Sequence, residues 1–353
     1  MTASVRFGAR IALALALVIP LLAASVSRSF AQDDELVVTV VTDTAGLGDG
    51  NFNDLANEGL IRAESELGIR GEVLQSLDAT QYQPNLLAGA ENSDLTIGVG
   101  YLLQQDLDAV AAGLPDENFL LIDAVAESEN VSSVLFREHE AAFLTGIVAA
   151  RTTKTNKIGI VGGIRVPPVE RYEVGFVAGV RTVNPEIEVV IAYAEDFEDP
   201  ALGKELALAQ FNQGADIVFP IAGRTGSGCY EAVVEKGDGF LVIGVDRNQE
   251  DQAPGQQLVV AKKGVDAAVY TAIEQLVNDE FVGGVQDIGL KEGGVDLTDP
   301  GAMVTEEVLA EAALYKQAII DGKFQVPAAD ADLETFTAPD VSSFATPVAT
   351  PSS

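Results

Sequence analysis

The sequence predicts an α/β protein made of two Rossmann-like lobes, each with a parallel sheet, joined by a hinge. Two observations predict this fold class. First, short apolar runs alternate with segments of helical periodicity along most of the 353-residue chain, which is typical of parallel sheets covered by helices. Second, the chain is too long for one ordinary hydrophobic core, so the alternating pattern is divided between two lobes of similar size.

The first 31 residues, 1–31, have the pattern of a secretory signal peptide. Arg6 and Arg10 form a basic start, 11–24 is an apolar run, and 29–31 resembles a cleavage site. The apolar run has about 14 residues, whereas a helix that spans a bilayer needs about 20. We therefore expect the mature chain to be secreted across the cytoplasmic membrane and to be soluble in the periplasm or outside the cell.

Cysteine content and charge narrow the class of protein further. The single cysteine, Cys229, lies deep in the chain, so we expect neither a lipid-attachment cysteine after the signal segment nor an internal disulfide. The chain carries 54 acidic and 21 basic residues, which give a formal net charge of −33 at pH 7. Such a field repels nucleic acid and anionic lipid surfaces, so no nucleic-acid partner is expected.

We assign residues 33–135 and 258–285 to the first lobe. It begins with the apolar, β-branched run 36–42, followed by the polar loop 43–53 and a helix whose apolar residues recur at helical spacing as far as Leu67. Further elements follow in order: strands at 72–75, 95–99, 119–122 and 131–136, and helices at 83–91 and 102–112. A later strand, 257–260, and helix, 263–277, are predicted to return to this lobe.

We assign residues 136–257 and 286–327 to the second lobe. Its predicted elements are helix 138–151, strands 157–161, 187–192, 216–219 and 240–245, and helices near 169–183, 201–213 and 227–235. Segment 286–290 and helix 305–321 are predicted to complete it. Residues 328–353, rich in Ala, Pro, Ser and Thr, are predicted to form a disordered tail. Two lobes joined by several crossings form a cleft that closes on a ligand by hinge motion.

The polar loop after the first strand contains four residues suited to ligand binding: Asp43, Asn51, Phe52 and Asn53. It follows the carboxyl end of a strand, where open α/β sheets bind ligands. Phe52 has two interpretations: an apolar staple that packs into the core, or a stacking platform flanked by hydrogen-bonding groups. A calcium loop is rejected because Asp54 stands where Gly is needed and Leu60 where a bidentate Glu is needed.

Other residues stand at strand ends that face the predicted cleft. Asp123 and Asp246 end apolar runs, and Phe197 lies in a loop that follows another strand. Lys263 opens a predicted helix, where a cation opposes the helix dipole and therefore needs another reason to be present. The two acids also have a structural interpretation, because either could cap a helix or face water.

The sequence offers little for catalysis. His139, the single histidine, lies on predicted helix 138–151 and is interpreted as a surface or hinge residue rather than a base. No cluster has the spacing of a zinc site, and the glycine-rich segment 223–228 lacks the GK[ST] of a phosphate-binding loop. Segment 98–100 is too short for a dinucleotide fingerprint. We therefore expect no cofactor, no metal and no enzymatic activity, and interpret both glycine segments as tight turns.

Nine motifs, spread over about residues 36–327, resemble those of one family: GNFN (50–53), GVGY (98–101), EAAFLTG (140–146), GGIRVPPV (162–169), FEDPALGKELA (197–207), NQGAD (212–216), GVD (244–246), KGVDAAVY (263–270) and GLKEGGV (289–295). The chain is similar to the basic membrane protein, or PnrA-like, family of ABC-transporter substrate-binding proteins. The resemblance implies a type I periplasmic-binding-protein fold, a purine nucleoside ligand, a membrane permease as partner and a monomeric state.

The resemblance also implies eight ligand-binding residues: Asp43, Phe52, Asn53, Asp123, Phe197, Gly223, Asp246 and Lys263. The two aromatic rings would sandwich the base, while the amide and Asp123 would bond the base edge. The ribose hydroxyls would be held by Asp43, Asp246 and Lys263. Gly223 would let the backbone approach the ligand closely.

Two residues depart from the family pattern, and two other functions remain open. Asn51 replaces the usual Ser, and Arg224 stands where a small residue is usual. Arg224 at the cleft rim would either pair with Asp246 or admit a more anionic ligand. The first alternative function is binding of a sugar or another small polar ligand, because two Phe rings also suit the apolar face of a sugar. The second is a nucleoside-processing enzyme, which the lack of an activated nucleophile disfavours.

Overall fold

The computed structural model of the chain describes residues 35–299, 301–337, 339–340 and 344. The predicted signal segment, 1–31, lies outside these residues. Within the described ranges, every helix is too short or too polar to cross a membrane.

The first lobe contains a six-stranded sheet in which all neighbouring strands are parallel. Across the sheet, its strands are β11 (Gly284–Ile288), β5 (Val131–Phe136), β4 (Phe119–Ile122), β3 (Leu95–Val99), β1 (Val37–Val41) and β2 (Arg70–Leu74). The helices that pack with this sheet are α1 (Phe52–Leu67), α2 (Tyr82–Asn92), α3 (Gln104–Gly113) and α8 (Val265–Val277). The central strands β3 and β4 are buried throughout, as expected for strands covered on both faces.

The second lobe contains another six-stranded sheet. Across the sheet, its strands are β12 (Val295–Thr298), β10 (Gln257–Lys263), β9 (Leu241–Asp246), β8 (Ile217–Ile221), β6 (Lys157–Gly162) and β7 (Glu188–Tyr193). Only β12 runs antiparallel to its neighbour in this sheet. The helices of this lobe are α4 (Glu138–Thr152), α5 (Pro167–Val183), α6 (Pro200–Asn212), α7 (Ser227–Lys236), α9 (Glu306–Ile320) and α10 (Asp330–Thr335). The predicted fold class, two α/β lobes with parallel sheets, is confirmed.

Two strands belong to the opposite lobe from the one predicted. The expectation that 257–260 returns to the first lobe was wrong, because β10 pairs with β9 and Lys262 lies opposite Asp246 in the register. The expectation that 286–290 completes the second lobe was also wrong, because β11 pairs with β5 at the edge of the first sheet. A parallel strand needs a crossover before it, so order along the chain alone does not say which sheet receives it.

The crossings between the lobes follow from this strand order. The chain leaves the first sheet after β5, leaves the second after β10, and passes back from β11 to β12. Helix α8 packs on α1 in the first lobe, where a Cβ built on Gly59 would lie 2.5 Å from the Asp266 carbonyl oxygen. The helix predicted at 263–277 therefore does return to the first lobe, although the strand before it does not.

The segment after residue 327 is ordered where the structure describes it. The expectation of disorder from residue 328 was wrong for α10, because Leu333 and Phe336 pack against the main core. Asp330 also accepts a 2.7 Å hydrogen bond from Arg165, which lies just before α5. Two apolar side chains and one ion pair therefore attach residues 328–337 to the rest of the protein, which their polar composition did not predict.

Candidate functional site

A cavity of about 640 Å³, part of it open to solvent, lies between the carboxyl ends of the two sheets. Residues that follow strands of the first sheet line one side, and residues that follow strands of the second line the other. Seven of the eight predicted site residues line it: Asp43, Phe52, Asn53, Asp123, Phe197, Gly223 and Asp246. This is the position at which α/β sheets bind ligands.

The loop between β1 and α1 is held by Asp49. Its carboxylate accepts hydrogen bonds from the backbone amides of Asn51, Asn53 and Asp54 at 2.8–3.2 Å. Asn51 is the N-cap of α1, and its side chain accepts a bond from the Phe52 amide. These bonds satisfy amides that the first turn of a helix leaves unpaired, so Phe52 and Asn53 are fixed at the cavity.

Asn53 and Asp43 form a buried pair at the first-lobe side of the cavity. The Asn53 amide nitrogen donates to Asp43 Oδ1 at 2.9 Å and to Asp49 Oδ2 at 3.1 Å. Asp43 Oδ1 also accepts from the Ala45 amide, whereas Oδ2 has no hydrogen-bond donor among the described residues. The Asn53 Oδ1 atom is buried without a partner in the same part of the chain. Burial raises the pKa of Asp43 to about 7, despite the hydrogen bond from Asn53.

Asp123 has one oxygen bonded to a lysine and one oxygen without a hydrogen-bond donor among the described residues. Its Oδ2 accepts a 2.5 Å hydrogen bond from Lys263 Nζ, and its Oδ1 is buried with no partner among the described residues. Burial raises the pKa of Asp123, and the adjacent ammonium of Lys263 opposes that shift. Asp123 therefore resembles Asp43 in offering a single unpaired oxygen.

Asp246 at the end of β9 completes a set of three cavity acids. Its Oδ1 accepts a 2.8 Å hydrogen bond from the Tyr172 hydroxyl, and its Oδ2 has no donor among the described residues. Burial raises the pKa of Asp246 to about 7, although Lys263 and Tyr172 act in the opposite direction. Each of the three acids thus has one oxygen that accepts a hydrogen bond from the protein and one without a donor among the described residues.

Two of the three acids have an uncommon backbone conformation. Asp123 has a φ of 71° and Asp246 a φ of 65°, which is the left-handed region that residues other than Gly rarely adopt. Asp is among the residues that enter this region most readily, but the conformation still needs support from its surroundings. Such backbone is concentrated at functional sites, because it directs a side chain where a regular strand end would not.

The aromatic residues Phe52 and Phe197 border the cavity from different lobes. Lys263 Nζ lies over the Phe52 ring, 5.0 Å from its centroid, which is a cation–π distance. Phe197 packs on glycines: a Cβ built on Gly163 would lie 2.3 Å from the ring, and one on Gly223 would lie 3.4 Å from it. Phe52 and Phe197 are both half-buried, and each packs against the main hydrophobic core while also lining the cavity.

The remaining candidates lie away from the cavity lining. Lys263 is 2% exposed and lies behind Asp123 and Phe52, where its ammonium contacts Asp123 and Glu138. Arg224 is exposed, and the donor to Asp246 is Tyr172 rather than Arg224. His139 lies in the first turn of α4, where burial lowers its pKa to about 4.

Sequence reasoning missed part of the lining. Tyr172 on α5 contributes a hydroxyl, and the segment before it contributes an apolar wall from Val166, Pro168 and Val169. Tyr101, after β3, also lines the cavity. A helix was predicted near 169–183, yet helical periodicity does not tell which turn of a helix faces a cavity.

Comparisons with known proteins show which family and fold the chain resembles. A model of the family described as ABC transporter substrate-binding protein PnrA-like matches residues 36–330. The chain is 35% identical to the ABC transporter nucleoside-binding protein BmpA of Lactococcus lactis over 83% of this chain and 89% of that protein. It is 34% identical to the CD4+ T-cell-stimulating antigen of Listeria monocytogenes over 83% and 88%. An ABC transporter solute-binding protein structure from Aeropyrum pernix aligns with a TM-score of 0.78 at 32% identity, covering 85% of this chain and 96% of that chain.

Proposed function

Because the chain belongs to the PnrA-like family of ABC transporter substrate-binding proteins, we propose that it binds a purine nucleoside between its lobes and delivers it to an importer. Membership makes the protein a substrate-binding component of an ABC transport system, in a family that works outside the cytoplasm. The nucleoside, the monomeric state and a dedicated permease are parts of the proposal.

The observation that carries the proposal is the arrangement of unpaired acceptors. Asp43, Asp123 and Asp246 each keep one oxygen free of protein donors within the described chain, and Asn53 Oδ1 is buried without a partner. A buried acceptor left without a donor costs about 1–3 kcal/mol, so a bound ligand has to supply several N–H or O–H groups. A nucleoside has them, on its ribose hydroxyls and on the edge of its base.

The two aromatic rings support the same class of ligand. Stacking of a base on an aromatic side chain is worth about 1–3 kcal/mol per base and tolerates different bases. Phe52 from one lobe and Phe197 from the other would therefore hold the flat base, while the polar atoms select it. A ligand that contacts both lobes also favours the closed arrangement of the hinge.

The acids argue against a nucleotide. A phosphate placed beside Asp43 or Asp246 would meet carboxylates in a chain whose net charge is −33. Burial raises the cost of such repulsion, because like charges interact more strongly where water is excluded. We therefore expect nucleosides to bind and the corresponding monophosphates to bind at least about 100-fold more weakly.

A sugar is the second candidate ligand, because two aromatic rings and three carboxylates also suit its apolar face and hydroxyls. The variants Asn53→Ala and Phe197→Ala distinguish the two ligands. If the ligand is a nucleoside, Asn53→Ala changes the ranking of adenosine, guanosine and inosine, while Phe197→Ala weakens all three. A sugar-binding site would give no ranking of bases to change.

Calorimetry on the purified, ligand-free protein tests the proposal. We expect saturable binding of adenosine, guanosine or inosine at one site per chain, with the nucleoside recovered unchanged afterwards. Heat with ribose or another sugar, and none with any nucleoside, would overturn the nucleoside proposal and leave a binding protein for another ligand. Release of free base during the incubation would instead indicate an enzyme.

A further inference from the structure

Four charged residues form a continuous buried chain behind the cavity. Lys263 Nζ donates to Asp123 Oδ2 at 2.5 Å and to Glu138 Oε1 at 2.9 Å, and Arg171 Nε donates to Glu138 Oε2 at 2.6 Å. The side chains of Glu138, Lys263 and Asp123 are 0%, 2% and 5% exposed. We call Asp123, Lys263, Glu138 and Arg171 the buried ion chain.

The buried ion chain runs from one lobe to the other. Asp123 follows β4 in the first lobe, and Arg171 lies on α5 in the second. Glu138 begins α4 directly after the crossing from β5, and Lys263 ends β10 directly before the crossing to α8. Its two inner members therefore lie at two of the crossings that join the lobes, the kind of position at which hinge closure takes place.

Stability alone does not account for this cluster. Removing charges from water is costly, and apolar side chains of similar size often stabilise a fold equally well. Asp123 is the one member that lines the cavity, so Glu138 and Arg171 do not reach a ligand there. Burial raises the pKa of Glu138, but Lys263 and Arg171 more than reverse this, so that Glu138 keeps its charge and remains an anchor for Lys263.

We propose that Glu138 and Arg171 are positioning residues for base recognition, holding Lys263 so that it fixes Asp123 with one oxygen towards the ligand. This inference rests on the proposed function, in which Asp123 accepts a hydrogen bond from the base edge. It gives Lys263 a role through Asp123 and Phe52 rather than through direct contact with ribose. Because Glu138 and Lys263 lie at crossings between the lobes, this inference also makes base recognition dependent on the arrangement of those crossings.

The test compares adenosine with purine riboside, which lacks the 6-amino donor. We expect the wild-type protein to bind adenosine about tenfold or more tightly than purine riboside, since a charged acceptor is left unpaired by the second ligand. In Glu138→Gln, Lys263 loses one of its two carboxylate anchors. We expect the preference for adenosine to fall to about threefold or less, with purine riboside affinity little changed.

Two further variants separate positioning from general damage. Glu140→Gln, in the same helical turn, replaces another buried glutamate that pairs with an arginine, Arg137, and should leave the preference unchanged. Glu138→Gln combined with Arg171→Gln removes one charge of each sign, and should fold while still losing the preference. Melting temperatures of all variants show whether they are folded.

The outcomes distinguish this inference from the function on which it rests. A wild-type protein that binds neither nucleoside would overturn the proposed function and the inference with it. A wild-type protein that prefers adenosine, together with a folded Glu138→Gln or double variant that prefers it equally, would overturn the inference alone. Equal weakening of both ligands in Glu138→Gln would also overturn it, because that result indicates a structural role only.

Discussion

The hydroxyl of Tyr172 donates a 2.8 Å hydrogen bond to Asp246 Oδ1, and both residues line the cavity. Tyr172 is 4% exposed and Asp246 5% exposed, so water does not replace this bond. Asp246 also has a left-handed backbone conformation, which the bond helps to hold. The hydrogen bond therefore restricts the orientation of the Asp246 carboxylate at the cavity.

Replacing Tyr172 with Phe tests this role. The hydrogen bond from Tyr172 lowers the pKa of Asp246, so its loss should raise that pKa further. We expect nucleoside affinity to fall about tenfold at pH 7 and the pH at which affinity is half-maximal to move upwards. Calorimetry between pH 6 and pH 9 measures both effects.

Tyr230→Phe is the matched control for that experiment. Tyr230 is also buried and donates to a side chain, Gln249, at 2.8 Å, but it does not line the cavity. Replacing Tyr230 with Phe should leave the pH dependence of nucleoside affinity unchanged. An identical pH shift in both variants would contradict a specific role for Tyr172.

The affinity of the wild-type protein should depend on pH. Burial raises the pKa of Asp43 and of Asp246 to about 7, so that both carboxyls gain protons as pH falls through neutrality. A protonated carboxyl loses an acceptor site that the ligand hydroxyls need. We expect nucleoside affinity to be highest above about pH 8 and to fall by about tenfold or more by pH 6. An affinity constant over this range would contradict a part for these acids in binding.

Ligand-free stability should show the opposite dependence on pH. A carboxyl whose pKa is raised by folding stabilises the native state below its unfolded pKa, and this contribution is lost as pH rises through the folded pKa. The rise of the Asp246 pKa from 3.8 to about 7 corresponds to a loss of up to about 4 kcal/mol by pH 8. Asp246→Asn avoids that loss.

We therefore expect Asp246→Asn to melt at a higher temperature than the wild type at pH 8 and at a similar temperature at about pH 4, near the unfolded pKa, both without ligand. The variant should also bind nucleoside poorly, because Asn presents an amide nitrogen or a neutral oxygen in place of the carboxylate. Thermal unfolding at the two pH values measures the difference. If the variant and the wild type differed in melting temperature by the same amount at both pH values, the raised pKa of Asp246 would not be the cause of the difference.

The aromatic rings should each contribute to affinity. Phe52→Ala and Phe197→Ala are expected to weaken nucleoside binding by about 5- to 150-fold each, the range given by loss of one stacking contact. Phe281→Ala, a half-buried Phe outside the cavity, provides the control for loss of a ring. If either cavity variant bound nucleoside as tightly as the wild type, stacking of the base on that ring would be contradicted.

Much of the site could be predicted because its residues occupy one kind of position. Asp43, Asp123 and Asp246 each follow or end a buried strand, and the carboxyl ends of parallel strands meet at one edge. Phe52 was singled out because an aromatic ring in a loop of small polar residues is uncommon, and Phe197 because it lies in a loop that follows a strand; the family resemblance then paired them. The α/β alternation similarly located ten of the twelve strands of the two sheets, all except β11 and β12, to within a few residues.

The rest depends on contacts that periodicity does not encode. The placement of β10 and β11 was reversed because sheet membership is decided by pairing across space. Helix α10 was missed because its segment has the polar, Ala- and Pro-rich composition typical of a disordered tail. Its contacts through Asp330 and Leu333 are long-range and are not visible in that composition. The burial of Lys263 behind Asp123 results from the packing of four charged groups, which no local pattern reveals.

A crystal structure of the protein with adenosine tests the central claim most directly. The account predicts that the base lies between the rings of Phe52 and Phe197, with its donor groups within about 3 Å of Asp123 Oδ1 or Asn53 Oδ1. It also predicts that the ribose hydroxyls face Asp43 and Asp246. A base bound elsewhere, or a cavity whose two rings enclose no ligand at saturating adenosine, would contradict it.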